Sequence, residues 1–138
     1  MADPQGDLLA ALVTRLSANA DLTTLGVTAN GWWENSAPAG IGVPHGVIRF
    51  LSGGDTNTSP RRDKRWRVVI GVMGTSQNEA RQGKSYIDDE LHAAELIISG
   101  WSNYRCMADD DFTQDDHFEG RQVYLRGEIF GIWLDKNS

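Results

Sequence analysis

The closing run of the chain, residues 121–135, limits the possible folds more than any other segment. If the run is a strand, alternation places these side chains on one face: Val123, Leu125, Ile129 and Trp133. The opposite face then carries Tyr124, Arg126, Glu128, Phe130, Ile132 and Leu134. Both faces become apolar toward the end of the run, which is typical of a strand covered on both sides. We therefore predict a closing strand packed by helices on one face and by something else, with a partner subunit as one candidate, on the other.

Capping residues and apolar spacing predict two main helices. The first has Asp3 as its cap and Pro4 as its first residue, and we expect it to end near Asn19. Its apolar face consists of Leu8, Leu9, Leu12, Val13 and Leu16. The second starts with a capping box, Ser76 to Glu79, and should run to a stop at Gly100, over about 35 Å. Its apolar repeat is Ala80, Ile87, Leu91, Ala94 and Ile98. A short helical turn, capped by Asp21 and stopped by Gly26, should follow the first helix.

Three further runs are candidate strands. The runs from Val47 to Leu51 and from Lys64 to Met73 should be antiparallel neighbours joined by a loop of about 12 residues. A short strand should follow from Tyr104 to Met107, whereas residues 26–46 should form an irregular connection. This order predicts an α+β fold, an antiparallel sheet of about four strands with two main helices packed on one face. We expect one domain over residues 1–138.

The composition limits the class of protein. A formal net charge of −6 argues against a general nucleic-acid binder, which is normally basic. The start of the chain lacks the pattern of a signal peptide, and no apolar run is long enough to cross a bilayer. Cys106 is the single cysteine, so no intrachain disulfide can form. We expect a soluble protein made in the cytoplasm.

Charge is sorted into two blocks of opposite sign. The basic segment 61–67 holds Arg61, Arg62, Lys64, Arg65 and Arg67. The acidic segment 109–119 holds Asp109, Asp110, Asp111, Asp115, Asp116 and Glu119, with no Lys or Arg. We place both blocks on loops, where they either are solvated surface or steer a contact between copies. Phosphate contact by the basic segment is a further alternative.

Few patterns suggest catalysis. The acidic segment could bind a hard cation, but it lacks the glycine and closing glutamate of an EF-hand loop. Cys106 falls in a predicted strand, and His45, His92 and His117 stand in no catalytic motif. The Arg-Gly-Glu sequence at 126–128 carries no interpretable signal. We expect no enzyme activity, no bound metal and no cofactor.

Four stretches carry a resemblance to a known family. They are the opening helix LLAALVTRLSAN, the connection WWENSAPAGIGVPHGVIRF, the strand and helix RWRVVIGVMGTSQNEARQGKSYIDDEL, and the closing strand GRQVYLRGEIFGIWL. In order and spacing they resemble the tail-terminator, or tail-completion, proteins of long-tailed bacteriophages. The chain departs from the family where His45 and Gly46 follow Pro44, because an aromatic residue is usual there.

The resemblance implies a structural virion protein without catalytic residues. Such proteins form a ring, typically a hexamer, that caps the tail tube, ends tube polymerisation and provides the head–tail joining surface. The implied partners are other copies of the chain, the tail tube protein and the head connector protein, with DNA passing through the channel without specific binding and with no membrane. The implied location is the virion tail, assembled in the host cytoplasm.

The contact residues expected for the subunit or the tube are Arg61, Arg62, Lys64, Arg65, Asp109, Asp110, Asp111, Asp115, Asp116 and Trp133. The first alternative function is a head–tail connector or stopper of the same assembly. The second is a metal-dependent enzyme built on the acidic loop.

Overall fold

The computed structural model describes residues 4–28, 31–35, 37, 42–55, 63–92, 96–98, 101–118 and 120–136. These residues form helices α1 (Pro4–Ser17), α2 (Ala20–Leu25) and α3 (Gln77–Leu91). They also form strands β1 (Trp32–Glu34), β2 (His45–Asp55), β3 (Asp63–Gly74), β4 (Ile97–Ile98), β5 (Trp101–Phe118) and β6 (Arg121–Lys136). The predicted α+β class with two main helices is confirmed.

The strands form one sheet in the order β1-β2-β3-β6-β5-β4. All neighbouring pairs are antiparallel except β1 with β2, which is parallel. The four long strands β2, β3, β5 and β6 are the predicted four-stranded sheet. Strands β1 and β4, of three and two residues, extend it at its two edges. The prediction of an irregular connection over residues 26–46 was wrong at β1, because three residues are too few to show a period of two.

The helices cover one face of the sheet, here called the helix face. From α1, Leu8, Leu12 and Leu16 pack into the main core, and α3 contributes Ile87 and Leu91. The sheet contributes Ile48, Trp66, Val68, Ile70, Val72, Phe130, Ile132 and Leu134. Arg15 Nε donates to Glu90 Oε2 at 3.0 Å, which ties α1 to α3. Burial of these side chains, at roughly 1.5–3 kcal/mol each, holds the helices on the sheet.

The other face, here called the second face, has its own buried side chains. Val47, Val69, Val123 and Leu125 are each no more than 1% exposed. The predicted division of the closing strand between two faces is thus correct, but on the second face the buried side chains of β6 lie near its start and not toward its end. Ile129 and Trp133, also on the second face, are only half-buried.

Helix α3 is shorter than predicted. It ends at Leu91, where His92 adopts an extended conformation, and Ile98 lies in β4 rather than in the helix. Ala94 and Gly100 lie outside the described residues. The apolar repeat misled because Leu96 and Ile98 are buried in the same core from an extended segment.

The helix caps differ in detail from the prediction. Ser76 Oγ accepts from Glu79 N at 3.1 Å, but the Glu79 carboxylate accepts from Thr75 N at 2.9 Å rather than from the cap amide. Helix α2 is capped by Asn19, whose side chain accepts from Leu22 N, so the assignment of that cap to Asp21 was wrong. Gly26 ends α2 with φ of 118°, as predicted from its lack of a side chain.

The acidic segment is a strand and not a loop. Strand β5 runs on from the predicted Tyr104–Met107 through Asp109 to Phe118, paired with β6 over its length. Asp is a poor strand former, but the apolar strand β6 offers this segment a full ladder of backbone hydrogen bonds. Lys64 and Arg65 likewise lie in β3, while Arg61 and Arg62 lie outside the described residues. Strands β2 and β3 extend to Asp55 and from Asp63, into the stretch that was predicted to be a loop of about 12 residues.

Candidate functional site

Lys64 and Arg65 of the basic segment lie at the opposite end of the sheet from Asp115 and Asp116 of the acidic segment. The beginning of β3 at Asp63 pairs with Asp135, whereas its end at Gly74 pairs with Tyr124, the partner of Asp115. The eleven steps of β3 between these ends span roughly 36 Å at about 3.3 Å each. We call the end with Lys64 and Arg65 the basic end. Lys64 and Arg65 are therefore far from Asp115 within one molecule, whereas Arg67, the last residue of the basic segment, lies 3.6 Å from Asp109.

Much of the acidic segment is paired with cations of its own chain. Asp111 Oδ1 lies 2.8 Å from Lys84 Nζ, and Asp115 Oδ1 accepts from Arg126 Nη1 at 2.8 Å. A looser pair joins Asp109 to Arg67 at 3.6 Å. Exposed pairs of this kind contribute only about 0–1 kcal/mol each. They nevertheless lower the local negative charge that a partner would meet.

Two acidic residues have other surroundings. Asp110 is exposed, and its carboxylate accepts from the backbone N–H of Asp111 at 2.9 Å. Asp116 lies in β5 opposite Val123. The structure therefore places the acidic residues along β5 from the middle of the sheet to one end, and it does not place them beside Lys64 and Arg65.

The outer edge of β5 is the side of that strand away from β6. Strand β4 pairs with it only at Trp101 and Ser102, so no described strand covers residues 103–118 on this side. The amide of Ala108 points outward and donates to His92 Nδ1 at 3.0 Å. The amide of Asp111 is held by Asp110. Two edge donors are thus occupied by side chains and are not available to another strand.

The second face holds a bridge from β2 to β5. The Arg49 guanidinium lies 5.9 Å from the ring centroid of Phe112, and Nη1 donates to Gln114 Oε1 at 3.4 Å. Its Nη2 donates to the carbonyl of Asn35 at 3.1 Å. Strands β3 and β6 lie between β2 and β5, so this arginine spans the middle of the sheet.

Trp133 lies on the same second face, near the basic end. It is half-buried, stands opposite Arg65 on β3 and Arg105 on β5, and its ring lies over Gly131. A partly exposed tryptophan suits a contact surface, because it buries a large area at small entropic cost.

A carboxyl pair lies under α3 on the helix face. Glu128 has a side chain 12% exposed, and Lys84 Nζ lies 3.9 Å from its Oε1. Burial, together with the neighbouring carboxyl of Asp88, raises the pKa of Glu128 to about 7, against the opposing effect of Lys84. Glu128 is therefore a buried titratable side chain, and it does not form a substrate-binding cavity.

An open groove of about 620 Å³ runs between α1 and β4. Its walls are mostly apolar and include Ala10, Ala11, Ala18, Leu96 and Ile98. The ion pair between Arg15 and Glu90 also borders it.

Cys106 and His45 are buried side chains. Burial raises the pKa of the Cys106 thiol to about 12, so the reactive thiolate is scarce. His45 is buried, its pKa is lowered by that burial, and its Nδ1 lies 3.0 Å from the Gly42 carbonyl. Among the described residues, no group of three or more His, Cys, Asp or Glu could hold a metal ion. No helix in the described part of the chain is long and apolar enough to span a membrane.

Sequence reasoning missed the cations and glycines that organise these surfaces. No sequence motif marks three cations that each pair with or lie over a β5 residue: Arg49, Lys84 and Arg126. Glycines inside predicted strands, Gly71 and Gly127, were a usable signal, because such glycines often mark a close backbone approach.

The comparisons with known proteins concern the fold. No protein-family model matches the chain, and no curated protein matches its sequence. A solved structure described as the virion of a native gene transfer agent (GTA) particle contains a similar chain, with a TM-score of 0.74 at 16% identity over 95% of this chain and 96% of that one. A second solved structure matches with a TM-score of 0.55 at 12% identity, over 97% of this chain and 96% of the other. The protein thus has the fold of a chain found in a phage-like particle.

Proposed function

We propose that this protein is a structural component of a phage-like virion and acts as a tail terminator. In this role it forms a ring that caps the tail tube, ends tube polymerisation and offers the head–tail joining surface. The observation that carries the proposal is the similarity of nearly the whole chain to a chain of a gene transfer agent particle. The tail-terminator role is supported in addition by the resemblance of four sequence stretches to tail-terminator proteins.

Several features of the molecule support a ring of identical copies. A ring needs two different patches on each subunit, so that the contact is head to tail. The end of the sheet at Asp115 and the basic end are two such patches, about 36 Å apart. Trp133 supplies half-buried apolar surface near one of them. We propose other copies, the tube protein and the head connector as partners, and a virion tail location.

The proposed role is not catalytic. The Cys106 thiol is buried, and His45 and His92 each contact a backbone group of their own chain. The net charge of −6 would also let DNA pass a channel wall without being held. Titration with Ca²⁺ or Mg²⁺ should give no heat of binding. Stoichiometric binding with loss of assembly would favour the metal-dependent alternative.

Electron microscopy and mass photometry of the full chain test the proposal. We expect closed rings, typically of six copies, that sit on one end of assembled tail tubes and stop further addition of tube protein. A ring that binds the head connector but never the tube would favour the connector or stopper instead. A persistent monomer that associates with neither would contradict a virion ring.

A further inference from the structure

Four charged side chains meet where α3 packs on β6 and β5: Asp88 and Lys84 of α3, Glu128 of β6 and Asp111 of β5. The Lys84 ammonium lies 2.8 Å from Asp111 Oδ1 and 3.9 Å from Glu128 Oε1. Glu128 also shares a side-chain hydrogen bond with Asp88. An ionised carboxylate only accepts hydrogen bonds, so one of these two carboxyl groups must hold a proton. One ammonium group therefore lies within reach of two carboxyl groups, of which one is linked to a third.

The surroundings favour the proton on Glu128. Its side chain is 12% exposed, whereas that of Asp111 is 71% exposed, so desolvation opposes the charged form of Glu128 far more. Burial, and then the neighbouring carboxyl group on α3, raise the pKa of Glu128 to about 7. The β3 residue paired with Glu128 is Ile70, which offers no charge. On β6 itself, Arg126 donates to Asp115 at 2.8 Å. Glu128 is thus neutral below pH 7 and charged above it.

We propose that Lys84 exchanges ion-pair partners with pH: it pairs with Asp111 while Glu128 is protonated, and with Glu128 when that carboxyl is ionised. The attraction to an ionised Glu128 is the stronger one, because this carboxylate is less solvated than that of Asp111. The Lys84 ammonium needs to move only about 1 Å closer to Glu128 to form a close ion pair.

The exchange has two consequences for the sheet and its helix. Above neutral pH, Asp111 loses the cation that offsets it, so the exposed acidic strand β5 gains one negative charge. The hydrogen bond between Asp88 of α3 and Glu128 of β6 is lost in the same step, because neither carboxylate then has a proton to donate. Both changes occur within a single chain and do not depend on the proposed ring.

Carbon-13 NMR of dimethylated lysines tests the exchange directly. The chain has three lysines, Lys64, Lys84 and Lys136, so reductive methylation gives few signals, and Lys84→Arg identifies that of Lys84. We expect the Lys84 signal to shift with a midpoint near pH 7, far below the titration of a lysine ammonium itself. In Glu128→Gln this step should disappear, and the signal should keep its low-pH position.

A second variant tests the other partner of Lys84. The Asp111 side chain is 71% exposed, so Asp111→Asn should fold like the wild type. Its Lys84 signal should start from a different low-pH position and reach the high-pH position of the wild type. Asp110→Asn is the matched control and should titrate like the wild type, because the Asp110 carboxylate accepts from the backbone amide of Asp111 instead.

Three results would overturn the exchange. The first is a Lys84 signal that stays constant between pH 5 and pH 9 in the folded wild type. The second is a step near neutral pH that persists in Glu128→Gln, because another group would then cause it. The third is an unchanged low-pH position in Asp111→Asn, which would mean that Lys84 does not pair with Asp111.

Discussion

Gly71 of β3 lies directly opposite Gly127 of β6 in the middle of the sheet. A Cβ on Gly71 would come within 2.7 Å of the Arg126 carbonyl oxygen, and one on Gly127 would meet the Ile70 carbonyl oxygen. Phe112 pairs with Gly127 from the other side. The bare backbone of the two glycines therefore lets two strands approach closely beneath the Arg49–Phe112 bridge.

Substitution of either glycine should destabilise the protein. We expect Gly127→Ala to lower the free energy of unfolding by about 1–3 kcal/mol, because backbone atoms must move to admit the methyl group. Urea denaturation followed by circular dichroism measures the change. Gly42→Ala is the control, since a Cβ there has nothing within 4 Å. Equal stability of the two variants would show that the strands do not approach as closely as described.

The Arg49–Phe112 contact should appear as a coupling energy. In a double-mutant cycle of Arg49→Met and Phe112→Leu, we expect about 0.5–1 kcal/mol of coupling from the cation–π contact. The control cycle combines Arg49→Met with Thr113→Val, whose side chain lies on the helix face. A coupling of zero in the first cycle, or an equal value in both, would mean that the bridge does not stabilise the second face.

Cys106 should be nearly inert in the native protein. Its side chain is 1% exposed and burial raises its pKa to about 12, so the thiolate fraction is roughly 1,000-fold below that of a free cysteine. Labelling with Ellman's reagent should therefore follow unfolding and accelerate with denaturant. A control variant combines Cys106→Ala with Leu51→Cys, at a position 47% exposed, and should label at once. Rapid labelling of the native wild type would contradict the burial of the thiol.

The sequence predicted the parts of the fold that local patterns determine. The leucines of α1 recur at helical spacing, and β6 alternates between two faces, so both elements followed from periodicity. The end of α3 did not, because Leu96 and Ile98 remain buried when the chain leaves the helix. Apolar spacing alone cannot separate a buried strand from a continued helix.

The candidate contact surface was less predictable than the fold. Asp109 and its acidic neighbours form a strand only because β6 pairs with them. Their own composition disfavours a strand, because Asp is a poor strand former. Lys84 of α3 and Arg126 of β6 form ion pairs with Asp111 and Asp115 of β5. Because the partners lie on different elements, the charge of each segment alone could not predict these pairs. The hypothesis that the two blocks meet across a subunit boundary stays a prediction.

The protein should lose stability as the pH rises toward neutrality, because Glu128 is buried and its burial favours the protonated carboxyl. Its pKa is about 7 in the folded protein and 4.5 as the ordinary value, so folding favours the protonated carboxyl. This stabilisation is fully present below pH 4.5 and is lost as the pH rises through about 7. Glu128→Gln remains neutral, so its melting temperature relative to the wild type should increase between pH 5 and pH 8, by roughly a few degrees. Asp89→Asn, on the exposed side of α3, is the control and should show no such trend. A constant difference between Glu128→Gln and the wild type at every pH would show that the carboxyl is ionised throughout.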